Sequence, residues 1–66
     1  MKIILNHKET TVPSGTTLGR LLELNSIPAV RVAVAVNEKV VPKSLHYSHE
    51  LFENDNVIVI KAFYGG

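Results

Sequence analysis

The sequence predicts an α+β fold of the β-grasp type, in which a mixed sheet of four to five strands surrounds one main helix. Three observations lead to this prediction. β-branched and apolar runs lie near both ends of the chain, a segment with leucines at helical spacing follows the first two runs, and valines alternate with other residues in the middle. The order of hairpin, helix, strand pair, short helix and strand makes the first and last strands parallel neighbours.

The first two strands are predicted at residues 1–6 and 10–13, and the segment "NHKE" is the turn between them. Asn6 is the turn residue that tolerates a positive φ. Pro13 and Gly15 end the second strand, because proline cannot continue the hydrogen-bond ladder of an interior strand.

The segment "TTLGRLLELN" predicts the main helix. Leu18, Leu21 and Leu22 fall at i, i+3 and i+4 and therefore share one helical face, and Thr16 or Thr17 is available as the N-cap. Gly19 should weaken this helix by about 1 kcal/mol relative to alanine.

The segment "VRVAVAVNEKVVP" predicts two strands. Its valines alternate with Arg31, Ala33 and Ala35, which is the period of a strand with one buried face. Asn37 and Glu38 form the turn into a short strand over residues 39–41. "KSLHYSHEL" then has short helical or 3₁₀ character, and "FENDN" is a turn.

The run "VIVIKAFY" predicts a central strand over residues 57–64, covered on both faces. A lysine belongs on the wetter face, so Lys61 places Val57, Val59 and Phe63 away from the helix. One short helix cannot cover a five-stranded sheet, so the other face must meet solvent or a partner. We therefore expect these three residues to bind a partner, and Ile58 and Ile60 to face the core.

Length and charge limit the function. The chain has 66 residues, a net charge of +1 and no cysteine, which predicts a single domain over residues 1–66 without disulfides. Its basic residues are scattered among the acidic ones, so neither nucleic acid nor an anionic membrane is an expected partner. The start, "MKIILN", is too short for a signal-peptide core or a membrane span, and we expect a cytoplasmic protein.

The sequence does not predict a catalytic or metal centre. His46 and His49 are spaced i, i+3, but zinc needs one or two further ligands and the chain has no cysteine, so we expect two solvated histidines. The serines lie outside a G-x-S-x-G context, so nucleophilic catalysis is unsupported. We expect no bound metal or cofactor and a protein that is a substrate rather than an enzyme.

The run "IKAFYGG" closes the sequence with a glycine pair. Because Gly65 and Gly66 lack Cβ atoms, a flexible tail ending in them, with Tyr64 as a further threading residue, could enter a narrow cleft of another protein. The α-carboxylate of Gly66 is an acyl group that a partner holding ATP and Mg²⁺ could convert to an acyl-adenylate. A sulfur nucleophile could then replace AMP.

The segments "TTLGRLLE" and "AVAVNEKVVPKS", together with the terminal "GG", resemble the sulfur carriers of thiamine biosynthesis, the ThiS family, over the whole chain. The resemblance implies a ubiquitin-like β-grasp fold, adenylation of Gly66 by a ThiF-like adenylyltransferase and conversion to a thiocarboxylate with sulfur from a donor protein. The thiocarboxylate then supplies sulfur to a ThiG-like thiazole synthase. "NDN" at residues 54–56 replaces an expected Asp/Gly turn, which puts that turn's geometry in doubt.

Three other functions fit the sequence. The small subunit of molybdopterin synthase uses the same terminal chemistry, but the short connection "NSIPAVR" favours the thiamine branch. A ubiquitin-like modifier would be joined to protein lysines. A plain interaction module would carry inert glycines.

Overall fold

Five strands form one mixed sheet in the order β2-β1-β5-β3-β4, with β5 at its centre. The computed structural model describes residues 1–28 and 32–61. β5 pairs in parallel with β1 and antiparallel with β3, as predicted for the first and last strands. The elements are β1 (Lys2–Leu5), β2 (Lys8–Thr11), α1 (Leu18–Leu24), β3 (Val32–Val36), β4 (Lys39–Val41), a 3₁₀ helix (Lys43–Ser48) and β5 (Asn56–Lys61).

Both hairpins turn on two residues with positive φ. Asn6 and His7 have φ values of 48° and 71°, and Asn37 and Glu38 have values of 51° and 72°. Left-handed backbone at both turn positions matches the right-handed twist of the flanking strands. The first turn is therefore shorter than the predicted "NHKE", and β2 begins at Lys8.

The helix α1 is capped at both ends. The Thr17 side chain accepts a hydrogen bond from the Arg20 amide at 3.3 Å, which satisfies one of the free N–H groups of the first turn. At the other end Ser26 has a φ of 56°, and the Ile27 amide donates to the Leu22 carbonyl at 2.9 Å. This Schellman arrangement turns the chain so that Ile27 packs against the core.

The core lies between α1, the 3₁₀ helix and one face of the sheet. The three leucines predicted to share a helical face are all buried, and the predicted alternation is confirmed in β3, where Val34 and Val36 are buried and Ala33 is exposed. Val30 and Arg31 lie outside the described residues. The buried apolar residues are Ile3, Leu5, Val12, Leu18, Leu21, Leu22, Val34, Val36, Val41, Leu51 and Val57.

His46 belongs to this interior, so the prediction of two solvated histidines is wrong for it. Its residue is 3% exposed, and its Nε2 donates to the Val41 carbonyl at 3.2 Å. A 3₁₀ helix repeats every three residues, so in this short segment one position in three turns inward. His49 ends the segment and is half-buried.

Gly19 permits close packing between α1 and the 3₁₀ helix. A Cβ at this position would lie 2.7 Å from Cγ and Cδ1 of Tyr47, inside van der Waals contact. The Tyr47 ring therefore lies directly on the helix backbone. The propensity cost of Gly19 is offset by this contact, which sequence periodicity does not show.

The Tyr47 hydroxyl extends the contact into a hydrogen-bonded chain. It donates to Glu23 Oε2, and Arg20 donates to Glu23 Oε1 at 3.0 Å. The hydrogen bond from Tyr47, followed by that from Arg20, lowers the pKa of the Glu23 carboxyl below its usual value. The same bond raises the pKa of Tyr47 above its usual value.

Replacement of Gly19 by alanine should destabilise the protein, although alanine is the better helix former by about 1 kcal/mol. The new methyl group displaces the Tyr47 ring, and overpacking of this kind costs about 1 to 3 kcal/mol. Urea denaturation measures the change in the free energy of unfolding. In a Tyr47→Ala background the same substitution should be neutral or stabilising. A stabilising Gly19→Ala change in the presence of Tyr47 would contradict the proposed packing.

The hydrogen bond between Tyr47 and Glu23 should make stability depend on acid pH. Folding lowers the pKa of Glu23, so between the two pKa values the unfolded chain binds more protons than the folded protein. The stabilisation that this hydrogen bond contributes is therefore fully present above about pH 4.5, and it is lost as the pH falls through the lower pKa of the folded state. NMR titration of the Glu23 carboxyl should show its pKa rising in Tyr47→Phe. Arg20→Gln should raise it less, because the Arg20 bond is the smaller cause; a larger effect of Arg20→Gln would reverse this order.

Candidate functional site

β5 is the central strand that leads to the predicted carrier segment. Four residues predicted to act at the site, Phe63, Tyr64, Gly65 and Gly66, lie outside the described residues. The structure therefore describes the base of the site: β5 itself, the strands that hold it, and the surfaces on either side.

On one side, β5 is paired along its length with β3. The register runs from Val57 opposite Val36 to Lys61 opposite Val32. The pairing thus continues to the last described residue of β5. Five of the six residues of β5 are paired with β3 in this way, and the first, Asn56, instead accepts a hydrogen bond from the Asn37 amide in the β3–β4 turn.

On the other side, Asn6 extends the shorter strand β1. The Asn6 amide donates to the Val57 carbonyl at 2.9 Å, and Oδ1 of Asn6 accepts from the Val59 amide at 2.8 Å. The Asn6 side chain thus continues the hydrogen bonding to β5 beyond the point where the β1 main chain turns away. From the sequence, Asn6 is recognisable only as a turn residue, because nothing in the sequence shows that its amide faces the last strand.

A polar network fixes the start of β5. Asn37 Nδ2 donates to Asp55 Oδ1 at 2.9 Å, and the Asn56 amide donates to Asn37 Oδ1 at 3.0 Å. Asn54 has a φ of 69°, so asparagine occupies the left-handed position that glycine would favour in this turn. The departure of "NDN" from the expected Asp/Gly pattern is therefore compatible with a tight turn here.

The sequence-based prediction of which face of β5 is buried is wrong. Val57 is 0% exposed within the core, and Val59 packs against that core, whereas Ile60 is 59% exposed. Ile58 is half-buried and points to the same side as Ile60. Lys61 misled the prediction because it lies at the strand end, where a long side chain reaches water past the core edge. Val57 and Val59 thus do not form an open docking face.

A groove of about 260 Å³ lies between α1 and the 3₁₀ helix, and three of its polar side chains, Glu23, His46 and Tyr47, are already hydrogen-bonded. His46 is bonded to a main-chain carbonyl, and Glu23 accepts from both Tyr47 and Arg20. Within residues 1–28 and 32–61, no three His, Cys, Asp or Glu side chains are grouped to hold a metal ion. Nor does this part of the chain contain a helix long and apolar enough to cross a membrane.

A model of the ThiS family matches residues 2–66. The chain belongs to the ThiS family. The match spans the described sheet and helices as well as the terminal glycines, and it confirms the family predicted from the sequence. No curated protein matches the chain.

Two solved structures share the fold of this ThiS-family chain. The crystal structure of the thiamine biosynthesis protein ThiS from Geobacter metallireducens superposes with a TM-score of 0.86 at 22% identity, covering 100% of both chains. An NMR structure of a thiamine biosynthesis protein from Geobacter metallireducens superposes with a TM-score of 0.76 at 25% identity, covering 100% of this chain and 87% of the other. The β-grasp prediction is confirmed. Family membership supports a small thiamine-pathway sulfur carrier rather than a catalyst.

Removal of the Asn6 side chain should loosen β5 on its β1 side. Asn6→Gly retains access to positive φ but loses the acceptor for the Val59 amide, whereas Asn6→Asp keeps a carboxylate oxygen there. NMR hydrogen exchange at Val59 should accelerate about fivefold in Asn6→Gly, since such a bond contributes about 1 kcal/mol. Exchange in Asn6→Asp should stay near the original rate. Equal exchange at Val59 in all three proteins would show that the side chain does not hold β5.

Proposed function

We propose that this ThiS-family chain carries sulfur as a thiocarboxylate on Gly66 for formation of the thiazole moiety of thiamine. The observation that carries the proposal is the family match, which extends through the glycine pair. The fold supports it as well: β5 is hydrogen-bonded to strands on both sides and precedes the tail by a few residues. A rigid domain can therefore present a short terminal segment to an enzyme.

The proposed chemistry has two steps. In the first, an oxygen of the Gly66 carboxylate attacks the α-phosphorus of ATP, and pyrophosphate leaves, which yields an acyl-adenylate. In the second, a hydrosulfide equivalent attacks the acyl carbon and AMP leaves, so one carboxylate oxygen is replaced by sulfur. ATP and Mg²⁺ belong to a ThiF-like adenylyltransferase, where the metal neutralises phosphate charge. A donor protein supplies the sulfur, and a ThiG-like thiazole synthase receives it.

The residue types of the tail suit this role. Gly65 and Gly66 have no Cβ, so an enzyme can close around the main chain and fix it in conformations that other residues disfavour. Tyr64 would lie at the mouth of that cleft, where its ring has both an apolar body and a polar hydroxyl. Phe63, which the sequence predicts near the end of the last strand, is proposed to contact the partner beside the cleft. Such positioning supplies much of the rate of an acyl transfer.

Mass spectrometry of the intact chain tests the proposal. After incubation with a ThiF-like enzyme, ATP, Mg²⁺ and sulfide, the mass should rise by the difference between sulfur and oxygen. A chain lacking Gly66 should not change, because its last residue would no longer reach the reacting position. The same mass increase in the shortened chain would show that Gly66 is not the carrier residue.

A second measurement identifies the pathway. The thiocarboxylated chain should lose its sulfur to a ThiG-like thiazole synthase and regain its original mass. Transfer only to a molybdopterin precursor would assign the chain to the molybdopterin branch. Covalent attachment to protein lysines would instead identify a ubiquitin-like modifier.

A further inference from the structure

The two edges of β5 have neighbouring strands over different lengths. On the β3 side the register continues from Val57 to Lys61, whereas on the β1 side it ends at Leu5 opposite Val57. β1 then turns away into its hairpin with β2. Within residues 1–28 and 32–61, the second half of β5 therefore has one open edge.

The main-chain groups of alternate β5 residues point towards this open edge. On the β1 side, the Val57 carbonyl accepts from the Asn6 amide, and the Val59 amide donates to Asn6 Oδ1. The N–H and C=O of one strand residue point to the same side, and those of its neighbours point to the opposite side. Lys61 therefore shares the orientation of Val57 and Val59, while the main chain of Ile60 is turned towards β3.

Two of these main-chain groups remain without a partner. Neither the Val59 carbonyl nor the Lys61 amide is hydrogen-bonded within the part of the chain that the structure describes. Their spacing repeats that of the Val57 carbonyl and the Val59 amide, and Asn6 bridges that earlier pair by donating to the carbonyl and accepting from the amide. One residue of an added parallel strand can satisfy the Val59 carbonyl and the Lys61 amide in the same way.

The open edge of β5 is better suited to strand addition than the outer edges of the sheet. β4 has three residues and is followed by Pro42, and β2 has four residues and is closely followed by Pro13. Short strands and proline oppose pairing with another chain. The open edge instead belongs to a six-residue strand, which leads towards Gly66.

We propose that the open edge of β5 at Val59 and Lys61 is a strand-addition site, where an extended segment of the enzyme that adenylates Gly66 pairs with the carrier. The inference rests on the proposed function. Lys61 is five residues before Gly66, and five extended residues span about 17 Å. An enzyme that holds the Gly66 carboxylate in its active site is therefore within one tail length of this edge. Main-chain hydrogen bonds from an added strand supply affinity and fix the direction in which the chain leaves β5.

Lys61→Pro tests the edge while the tail keeps its length. The substitution removes the amide that an added strand would bond, and the proline ring occupies the space beside it. Because the described part of the domain does not use this N–H, the fold should persist, as proline is tolerated at strand edges. Lys61→Ala is the reference variant, since it loses the same charge but keeps the amide.

Thr11→Pro is the matched control at an edge remote from the tail. Val12 exchanges hydrogen bonds with Met1, so the amide of the preceding Thr11 faces the outer edge of β2. Proline at this position also replaces an outward-facing N–H. Urea denaturation establishes that both proline variants are folded at the assay temperature.

The first measurement is the rate of ATP–pyrophosphate exchange by a ThiF-like enzyme as a function of carrier concentration. We expect the KM of Lys61→Pro to be at least about tenfold above that of Lys61→Ala, because a main-chain bond is lost and the ring obstructs the added strand. Thr11→Pro should have the KM of the unaltered chain. Calorimetric titration of the enzyme should give the same order of affinities.

Hydrogen exchange at the Lys61 amide is a second measurement, made on the unaltered chain. In the isolated protein this amide should exchange at nearly the rate of an unstructured peptide, whereas the Ile60 amide should be protected by its pairing with β3. On saturation with the enzyme, exchange at Lys61 should slow at least about tenfold. A Lys61 amide that is already protected in the isolated chain, or unprotected in the complex, would overturn the inference even if Lys61→Pro failed to fold.

The remaining outcomes separate the open edge from the proposed function. If the unaltered chain is adenylated and Lys61→Pro has the KM of Lys61→Ala, the edge inference is wrong while the carrier function stands. If Thr11→Pro raises KM as much as Lys61→Pro, the effect of proline is not specific to the open edge and the inference is also wrong. If sedimentation shows a dimer of the unaltered chain that Lys61→Pro dissociates without affecting KM, the edge pairs with a second copy instead. Absence of adenylation in the unaltered chain would overturn the proposed function itself.

Discussion

The central position of β5 is the constraint on which the rest of the molecule depends. A strand late in the chain is inserted between β1 and β3, so the sheet is complete only when residues far apart in sequence have paired. Because β5 has neighbours on both sides, its Val57 and Val59 pack under α1 while its opposite side chains face outwards. Asn6 prolongs the support on the β1 side by one side-chain hydrogen bond. β5 is thus held by neighbouring strands on both of its edges.

A second close contact completes the layer that covers the sheet. The Tyr47 ring lies against Gly19, and its hydroxyl connects the 3₁₀ helix to Glu23 on α1. Beneath them, His46 fills the interior and bonds to the Val41 carbonyl. This layer consists of a seven-residue helix and a six-residue 3₁₀ helix, and both lie on one side of the sheet.

The outer face and the tail are connected through β5. Ile58 and Ile60 belong to the strand that continues towards Gly66, and the small side chains of Ala33 and Ala35 lower the surface next to them. In the proposed function the chemistry is confined to one carboxylate, that of Gly66.

The sequence by itself determined the order of elements, the fold class and the family. The leucine spacing in α1, the alternation in β3 and the turn residues Asn37 and Glu38 are local signals, since each depends on neighbours within a few residues. Only the tertiary structure decided which face of β5 is buried, because both sets of alternate residues are apolar and Lys61 reaches water from the strand end. It likewise decided that His46 is interior, that Gly19 accommodates Tyr47 and that Asn6 supports Val59. Each of these depends on contact between segments distant in the chain, which no local pattern records.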